Sequence, residues 1–464
     1  MKLSKFNLWV KDYPRQGESL LFNTRTQALI KVDQDLKQEL NKCSAAGFKT
    51  QGARIKKYLN ALKDNGIIVD DEKQEQDKLD DFFRQLKYES DKLTFEVTIL
   101  TTYDCNFRCT YCFEESIKQN VFLNKNTSDL IIKWLIKKAE ERGYKKIYLV
   151  YYGGEPLLNI KPIYDISWNL KVWTEKRGID FGLGIITNGS LVSPELVDKL
   201  LPVGLQDIRV TVDGDKDAHN KKRPFCDGRP TFNLIMNNIK SVIDKVSIGI
   251  AGNFDRENFN SIFSFLDYLE DEGILHRLDS IDFTPLNPRL GPKDNPAAIE
   301  LEGCFSFFSK DGLFKEVVAV KKELMKRGVS KVRTDLAVNA CSLIMQDAGI
   351  TIDPDGIIYK CNALVGYPEF SVGDVRCIQF NKKYHDFLNI NAWNKCPKDC
   401  AYIPMCQGGC RFFSYMENKD FSKLSCKKEY LDYIVPDLIK LEYERLKIEN
   451  KQKAEDVQPA VVTY

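Results

Sequence analysis

Cys105-Asn-Phe-Arg-Cys109-Thr-Tyr-Cys112, with Phe113 and Glu114 directly behind it, places three thiols within eight residues. The gaps are three residues and then two. A loop of this kind can fold around one metal centre and supply three ligands. A cluster of four irons has four corners, so three cysteines would leave one iron open to bind and activate a small molecule. A structural zinc knot is the other use of such a loop.

The chain on either side reads as a β/α alternation. Thr94–Leu100 has the pattern of a buried strand that delivers the chain to the cysteine loop. Lys146–Tyr152, Phe181–Ile186, Ile208–Val212, Val246–Ile250 and Ser280–Pro285 read as five more strands. Helical patterns lie between them: a helix capped by Thr127 or Ser128 and stopped by Gly143, then Pro162–Lys176, Pro194–Leu201, Thr231–Ile243 and Asn258–Asp271. Six strands in this rhythm predict an α/β fold with a parallel sheet. Periodicity does not distinguish an open sheet from a barrel. In both, ligands sit at the carboxyl ends of the strands.

Residues 1–70 read as a small separate unit. Leu20–Asn23 and Ala28–Asp33 are predicted strands, Gln34–Lys42 and Gly52–Lys63 predicted helices, and Ile67–Asp70 a short strand; this order suits a winged-helix-like module. Residues 71–92 are charge-dense and predict a linker with one exposed helix. The barrel-like region is expected over 93–300 and a bridging region with a helix at 314–327 over 301–340. A cysteine-rich, loop-rich segment held by metal in place of a large apolar core is expected over 341–430. A helix kinked at Pro436, with a tail, should complete 431–464.

The totals restrict the classes available. At 464 residues the chain suggests two or three domains. A net charge of +2 gives no bulk electrostatic case for nucleic acid or an anionic membrane, and no stretch approaches the ~20 apolar residues of a membrane span. The start, Met1-Lys-Leu-Ser-Lys-Phe, lacks the apolar run of a signal peptide. The 14 cysteines therefore point to metal binding or thiol chemistry in a reducing cytoplasm, not to disulfide staples. Cys43, Cys226 and Cys304 belong to no motif and are expected to be incidental thiols.

The Cys105–Cys112 loop, with Tyr111 before its last cysteine, resembles the signature of the radical S-adenosylmethionine enzymes. The resemblance implies a partial (β/α)6 barrel in which Cys105, Cys109 and Cys112 hold a [4Fe–4S] cluster. The open iron would chelate S-adenosylmethionine, and one electron would release a 5′-deoxyadenosyl radical that abstracts hydrogen. Tyr152-Gly153-Gly154-Glu155-Pro156 resembles the family element that contacts the ammonium group of the cosubstrate, which makes Glu155 a candidate contact. Further matches are Thr187-Asn188-Gly189, Val212-Asp213-Gly214, His219-Asn-Lys-Lys-Arg223-Pro and Asn253. His219 taken alone reads equally as a surface residue.

Cys341, Cys361, Cys396, Cys400, Cys406, Cys410 and Cys426 resemble the SPASM domain, a seven-cysteine extension with two auxiliary [4Fe–4S] clusters. By resemblance, Cys396, Cys400, Cys406 and Cys426 would hold the distal cluster. Cys341, Cys361 and Cys410 would hold the nearer one, with an open iron unless Cys377 closes it. The chain departs from the usual pattern in having three residues between Cys396 and Cys400, where two are usual, and a slightly short last gap. A zinc ribbon also uses four-cysteine sets.

The N-terminal module resembles the peptide-recognition element of enzymes that mature ribosomally made peptides, and would bind a leader by strand addition. The implied function is a peptide maturase that joins a cysteine sulfur to carbon. A reducing partner such as flavodoxin or ferredoxin would supply the electron. The alternatives are carbon–carbon or carbon–oxygen cross-linking, formylglycine formation as in anaerobic sulfatase maturation, and a non-catalytic iron–sulfur electron carrier.

Overall fold

Six parallel strands pair in chain order: Thr94–Leu100, Lys146–Tyr152, Asp180–Thr187, Leu205–Thr211, Ser247–Phe254 and Ser280–Pro285. The computed structural model describes residues 1–45, 53–89, 93–112, 114–115, 117, 120–286, 289–291, 298–299, 314–329, 331–338 and 340–453. The predicted bridging region therefore lies partly outside the described residues, as do Cys304 and the tail from 454.

Strand and helix follow from the residue pattern. Lys146–Tyr152 alternates half-buried and buried positions, with Ile147, Leu149 and Tyr151 inward. The intervening helices bury one apolar face each, as Phe232–Val242 does with Phe232, Ile235, Met236, Ile239 and Val242. The helix Lys125–Arg142 is capped by Asn124, whose side chain accepts from the Thr127 amide at 3.0 Å. The cap expected at Thr127 or Ser128 thus lies one turn earlier, because Asn124 has the extended backbone that a cap requires. Gly143 ends that helix in the left-handed conformation, as expected.

The parallel sheet does not stop where the β/α rhythm stops. Ile350–Ile352 pairs in parallel with Thr94–Leu100 on its free side, matching Ile350 to Val97 and Ile352 to Ile99. Ile357–Tyr359 and Gly373–Asp374 then add in antiparallel order, making nine strands. Ile350, Ile352, Ile358, Tyr359, Leu364 and Val372 are buried in the common core. The cysteine-rich segment is therefore built partly on the barrel's own sheet and is not held by metal alone. Strands of two or three residues carry too little alternation to be read from sequence.

The N-terminal unit forms a three-stranded antiparallel sheet, Asn7–Lys11, Ser19–Asn23 and Leu29–Val32, with Lys2–Leu3 paired to Ile68–Val69 and helices Gln34–Ala45 and Ala53–Asp64. Asn23 is its hub. Its amide donates to the Asn7 side chain at 2.8 Å and the Gly66 carbonyl at 2.9 Å, while its oxygen accepts from the amides of Arg25 and Thr26.

The predicted linker is corrected by the helix Glu72–Tyr88, which is packed and not exposed. Leu79 and Phe83 are buried against Phe6, Ile344, Trp393 and Ile403. Phe83 stacks on Trp393 with ring centroids 4.0 Å apart. The Lys87 ammonium donates to the carbonyls of Leu388 and Ile390. The charge density misled because Leu79, Phe83 and Lys87 lie four residues apart on one face while the charges fill the others. The helix Lys428–Lys453 runs on through Pro436. Among the described residues no helix is long and apolar enough to cross a membrane.

Phe83→Ala removes a buried ring from this junction and is expected to cost about 3 kcal/mol of stability. Denaturant unfolding should show the midpoint falling; an unchanged midpoint would mean that the helix is dispensable to the junction.

Candidate active site

The cysteine loop has no regular structure of its own, so its shape comes from backbone contacts on two sides. On one side, Gly154 donates to the Thr102 carbonyl at 3.1 Å and Glu155 to the Asp104 carbonyl at 2.8 Å. A Cβ on Gly154 would lie 2.0 Å from the Asp104 oxygen, and one on Gly153 would lie 2.4 Å from the Thr102 oxygen. Gly153 also has φ +129°, which L side chains rarely adopt. The two glycines are thus required by close packing on the strand that enters the loop. On the other side, the amides of Arg108 and Thr110 donate to the carbonyls of Pro224 and Lys222, and Cys226 donates to Asn106. Buried Phe107 packs edge-on against Phe225 at 5.0 Å.

The three thiols line a cavity of about 490 Å3 at the carboxyl ends of the strands. Of the residues singled out from sequence, Tyr111, Gly153, Gly154, Thr187, Asn188, Arg223 and Asn253 share that wall. Glu155, Pro156 and Asp213 do not line it. The Glu155 carboxylate is fully buried and occupied: it accepts from the Leu157 amide at 3.1 Å, the Thr187 hydroxyl at 2.7 Å and the Asn188 amide at 2.8 Å. Burial raises its pKa against those three bonds. Its work in this structure is to fix the end of the third strand. Asn188 then reaches Asn106 at 2.8 Å and the Cys105 sulfur at 3.8 Å.

Asp213 organises the opposite wall from behind. Its carboxylate bonds the Tyr111 hydroxyl and accepts from the Asn253 amide at 2.7 Å. Arg223 Nη1 donates to the Tyr111 oxygen at 2.7 Å and lies 3.9 Å from Asp213. Burial raises the Asp213 pKa, and the Arg223 charge opposes it. Burial works against the Arg223 charge too, but Cys109, Tyr111 and Asp213 outweigh it and keep the guanidinium protonated. His219 is not a surface residue. It is fully buried, its Nδ1 accepts from the Asp213 amide at 3.2 Å, and Nε2 faces the Thr231 hydroxyl at 3.1 Å. Thr231 gives its own proton to the Arg223 carbonyl, so Nε2 carries the imidazole proton. Burial, then the Arg223 charge, hold His219 neutral.

Sequence reading missed part of this wall. Asn362, Ala363, Phe412 and Phe413 also line the cavity, and they are the neighbours of Cys361 and Cys410. Their signal was adjacency to cysteines already singled out. Tyr103 ties the two regions together by donating to buried Asp353 at 2.9 Å. Burial lifts that carboxyl to about 6.

The remaining cysteines fall into two groups in space. Burial pushes Cys361 up to about 12, with the charges of Cys341 and Cys410 adding to it. Burial likewise raises Cys396 to about 12, with Cys406, Cys400 and Cys426 adding. Cys377 joins neither group. It is exposed, and Val375 bonding back to Gly356 carries it past the end of the hairpin opposite Cys361. Among the described residues no three acidic, histidine or cysteine side chains converge as they must on a single ion.

Residues 99–269 match the family model of the radical SAM superfamily. Residues 99–269 form a radical SAM domain. A cysteine-type anaerobic sulfatase-maturating enzyme of Clostridium novyi is 25% identical over 335 residues, covering 66% of this chain and 85% of the relative. The radical SAM cyclopropyl synthase TigE of Paramaledivibacter caminithermalis is 22% identical over 435 residues, 84% of this chain and 85% of the relative. In fold the chain is similar to native anSMEcpe with bound AdoMet and Cp18Cys peptide, at TM-score 0.58 and 16% identity, over 77% of this chain and 99% of that one. It is also similar to Streptococcus suis SuiB bound to precursor peptide SuiA, at TM-score 0.53 and 13% identity, over 92% and 99%. With its cysteine-rich C-terminal region, the chain is SPASM-like.

The family implies [4Fe–4S] clusters and S-adenosylmethionine as cofactors. The residues present fit them. The thiols are the ligands that iron–sulfur clusters use. Arg223 Nε is buried beside the cavity without a hydrogen-bond partner, a donor left over for an anionic group. Bound together, these cofactors supply a 5′-deoxyadenosyl radical able to take a hydrogen atom. The chain's own part is to hold Tyr111 and Arg223 in register through Asp213 and to keep the cavity narrow.

Gly154→Ala should lower iron content and the unfolding midpoint together, since its Cβ would collide with backbone. Gly143→Ala, whose Cβ meets nothing within 4 Å, should cost only the left-handed penalty of about 1 kcal/mol. Full iron incorporation in the Gly154 variant would show that this contact does not hold the loop.

Proposed function

We propose that this enzyme matures a ribosomally made precursor peptide and joins a cysteine sulfur to carbon as a thioether. The observation that carries this reading is a pair of cavities with a common wall. A cavity of about 1060 Å3 runs from Gln27 and Leu29 of the N-terminal unit to Thr284 and Pro285, and these last two residues also line the cavity of the cysteine loop. Leu29–Val32 is an outer strand of its sheet, so a leader could add beside it through main-chain hydrogen bonds. The core peptide would then continue toward the three thiols. The fold neighbour described with a bound precursor peptide spans 92% of this chain. Cys105, Cys109 and Cys112 would hold the radical-generating cluster, with Arg223 facing the carboxylate of S-adenosylmethionine. Flavodoxin or ferredoxin would serve as reductant.

The choice of a thioether rests on the nearer auxiliary group. Cys341, Cys361 and Cys410 leave one corner of a four-iron cluster without a protein thiol. Residues adjoining Cys361 and Cys410 line the same cavity as the radical site. A substrate thiolate could take that corner, because thiolate is a preferred ligand of such clusters. Loss of a hydrogen atom from carbon, one electron to the cluster and a thiol proton to solvent then balance the new carbon–sulfur bond.

Two other outcomes have specific support. Sulfatase-maturating relatives favour oxidation of a cysteine to formylglycine, but the Clostridium novyi enzyme aligns with only 66% of this chain. The relative named for cyclopropyl synthesis favours carbon–carbon bond formation, and it aligns with 84%.

Reduced protein should cleave S-adenosylmethionine to 5′-deoxyadenosine without peptide, and alanine at Cys105, Cys109 and Cys112 should abolish this. Retained cleavage would refute the assignment of those thiols, and no cleavage by the wild type would favour an electron carrier.

Coexpression with a short cysteine-containing peptide encoded beside the gene, followed by mass spectrometry, separates the chemistries. A thioether loses two hydrogens, retains its sulfur and blocks alkylation of that cysteine. An alkylatable cysteine after the same loss would indicate a carbon–carbon link, and loss of sulfur would indicate formylglycine.

A further inference from the structure

The turn between the two auxiliary thiol groups holds a cation that has no carboxylate partner among the described residues. Arg411 follows Cys410 directly and is 1% exposed. Its guanidinium donates to the carbonyls of Gly408 and Gly409, inside the Cys406–Cys410 turn, and to those of Phe421 at 2.9 Å and Lys423 at 2.6 Å, just before Cys426. The charge is thus enclosed between a cysteine of the nearer group and two of the distal group. Its five N–H groups meet carbonyls only, which satisfy hydrogen bonds but leave a full positive charge unbalanced in a buried place. An unpaired buried ion costs several kcal/mol, so the fold should supply an anion nearby. Iron–sulfur clusters held by the two thiol groups on either side of the turn would supply that anion.

Two unpartnered donors flank the same turn. Gln407 is 3% exposed, with the left-handed φ of +56° that is unusual for a residue other than glycine. Its oxygen faces the Cys341 amide at 3.4 Å, and its Nε2 is buried without a partner. Ser425, beside Cys426, buries a hydroxyl that also has no partner. Buried polar groups are nearly always satisfied, so each such orphan needs an acceptor. Cluster sulfurs and cysteine sulfurs are acceptors of the right kind. Hydrogen bonds and charge near the sulfurs are among the factors that set cluster potentials.

We propose that this turn sets the potentials of both auxiliary clusters, with Arg411 as their shared counter-charge, Gln407 a donor to the nearer and Ser425 a donor to the distal. All three are positioning residues, and the inference rests on the assignment of Cys341, Cys361 and Cys410 to one cluster and Cys396, Cys400, Cys406 and Cys426 to the other. Reduction adds negative charge to a cluster. Removing a nearby cation or donor should therefore make reduction harder and lower the midpoint potential. A neutral replacement of Arg411 should lower two potentials, whereas loss of either donor should lower one.

The test uses the full chain with alanine at Cys105, Cys109 and Cys112, so that only auxiliary signals remain. Electron paramagnetic resonance during a potentiometric titration reads both, and Cys361→Ala or Cys396→Ala identifies which is which. Arg411→Gln should shift both midpoints downward, and Arg411→Lys, which keeps the charge, should leave them near their starting values. Gln407→Leu should lower the nearer midpoint alone, and Ser425→Ala the distal one alone. Unmoved midpoints in correctly loaded Arg411→Gln would overturn the inference, as would equal shifts in the glutamine and lysine variants. Absence of auxiliary signals in the parent would overturn the cluster assignment itself. If Arg411→Gln does not fold, the selective shifts of Gln407→Leu and Ser425→Ala still decide, and a shift in the wrong cluster would refute it.

Discussion

A loop that presents three thiols to one cavity cannot hold itself together, because the backbone that aims the sulfurs forms no ladder of its own. In this chain the constraint is met by backbone approach that tolerates no Cβ. Gly154 sits where any side chain would lie 2.0 Å from the Asp104 carbonyl. The turn after the second strand is thereby fixed to the exit of the first. Glu155 continues the chain of contacts by binding Thr187 and Asn188 at the end of the third. Three adjacent strand ends are locked in sequence, and the thiols inherit their positions from that lock.

The electrostatics follow the same economy. Asp213 never reaches the cavity, yet it orients Tyr111, Arg223 and Asn253, which do. A neutral His219 holds its backbone in turn, with the tautomer fixed by Thr231. Burying the Asp213 carboxylate beside the Arg223 guanidinium offsets part of the cost that either would carry alone. The charged pair is therefore a scaffold, and the groups left facing the cavity are the Tyr111 ring, the Asn253 amide and part of the guanidinium.

The six barrel strands were legible because each carries five or more residues of apolar pattern followed by a glycine- or asparagine-bearing turn. The cysteine groupings were legible because spacing along the chain survives folding when short turns separate the ligands. Three features were not. The strand Ile350–Ile352 is too short to show a period, and its partner, Thr94–Leu100, is more than 200 residues away in sequence. The helix Glu72–Tyr88 hides a narrow apolar face behind charges that solvate the rest. Glu155 looked like a ligand contact because a carboxylate after two glycines has the right chemistry. Only the third strand's position shows that its oxygens also accept from Leu157, Thr187 and Asn188.

That short parallel strand has the largest consequence for chemistry. Two separately folded units joined by a linker would leave the gap between radical site and auxiliary groups free to vary. Here Ile350–Ile352 is hydrogen-bonded into the same sheet as the strand that feeds Cys105, and Tyr103 bonds Asp353 just beyond it. Cys361 follows the next strand of that hairpin by two residues, so its position is referred to the barrel by a few strand bonds. A carbon radical formed near Tyr111 and a sulfur held near Cys361 would then face each other across one cavity wall of fixed geometry. Bond formation between two such centres depends on angstrom-scale placement. The extension of the barrel sheet, more than the metal ligands themselves, is what can provide it.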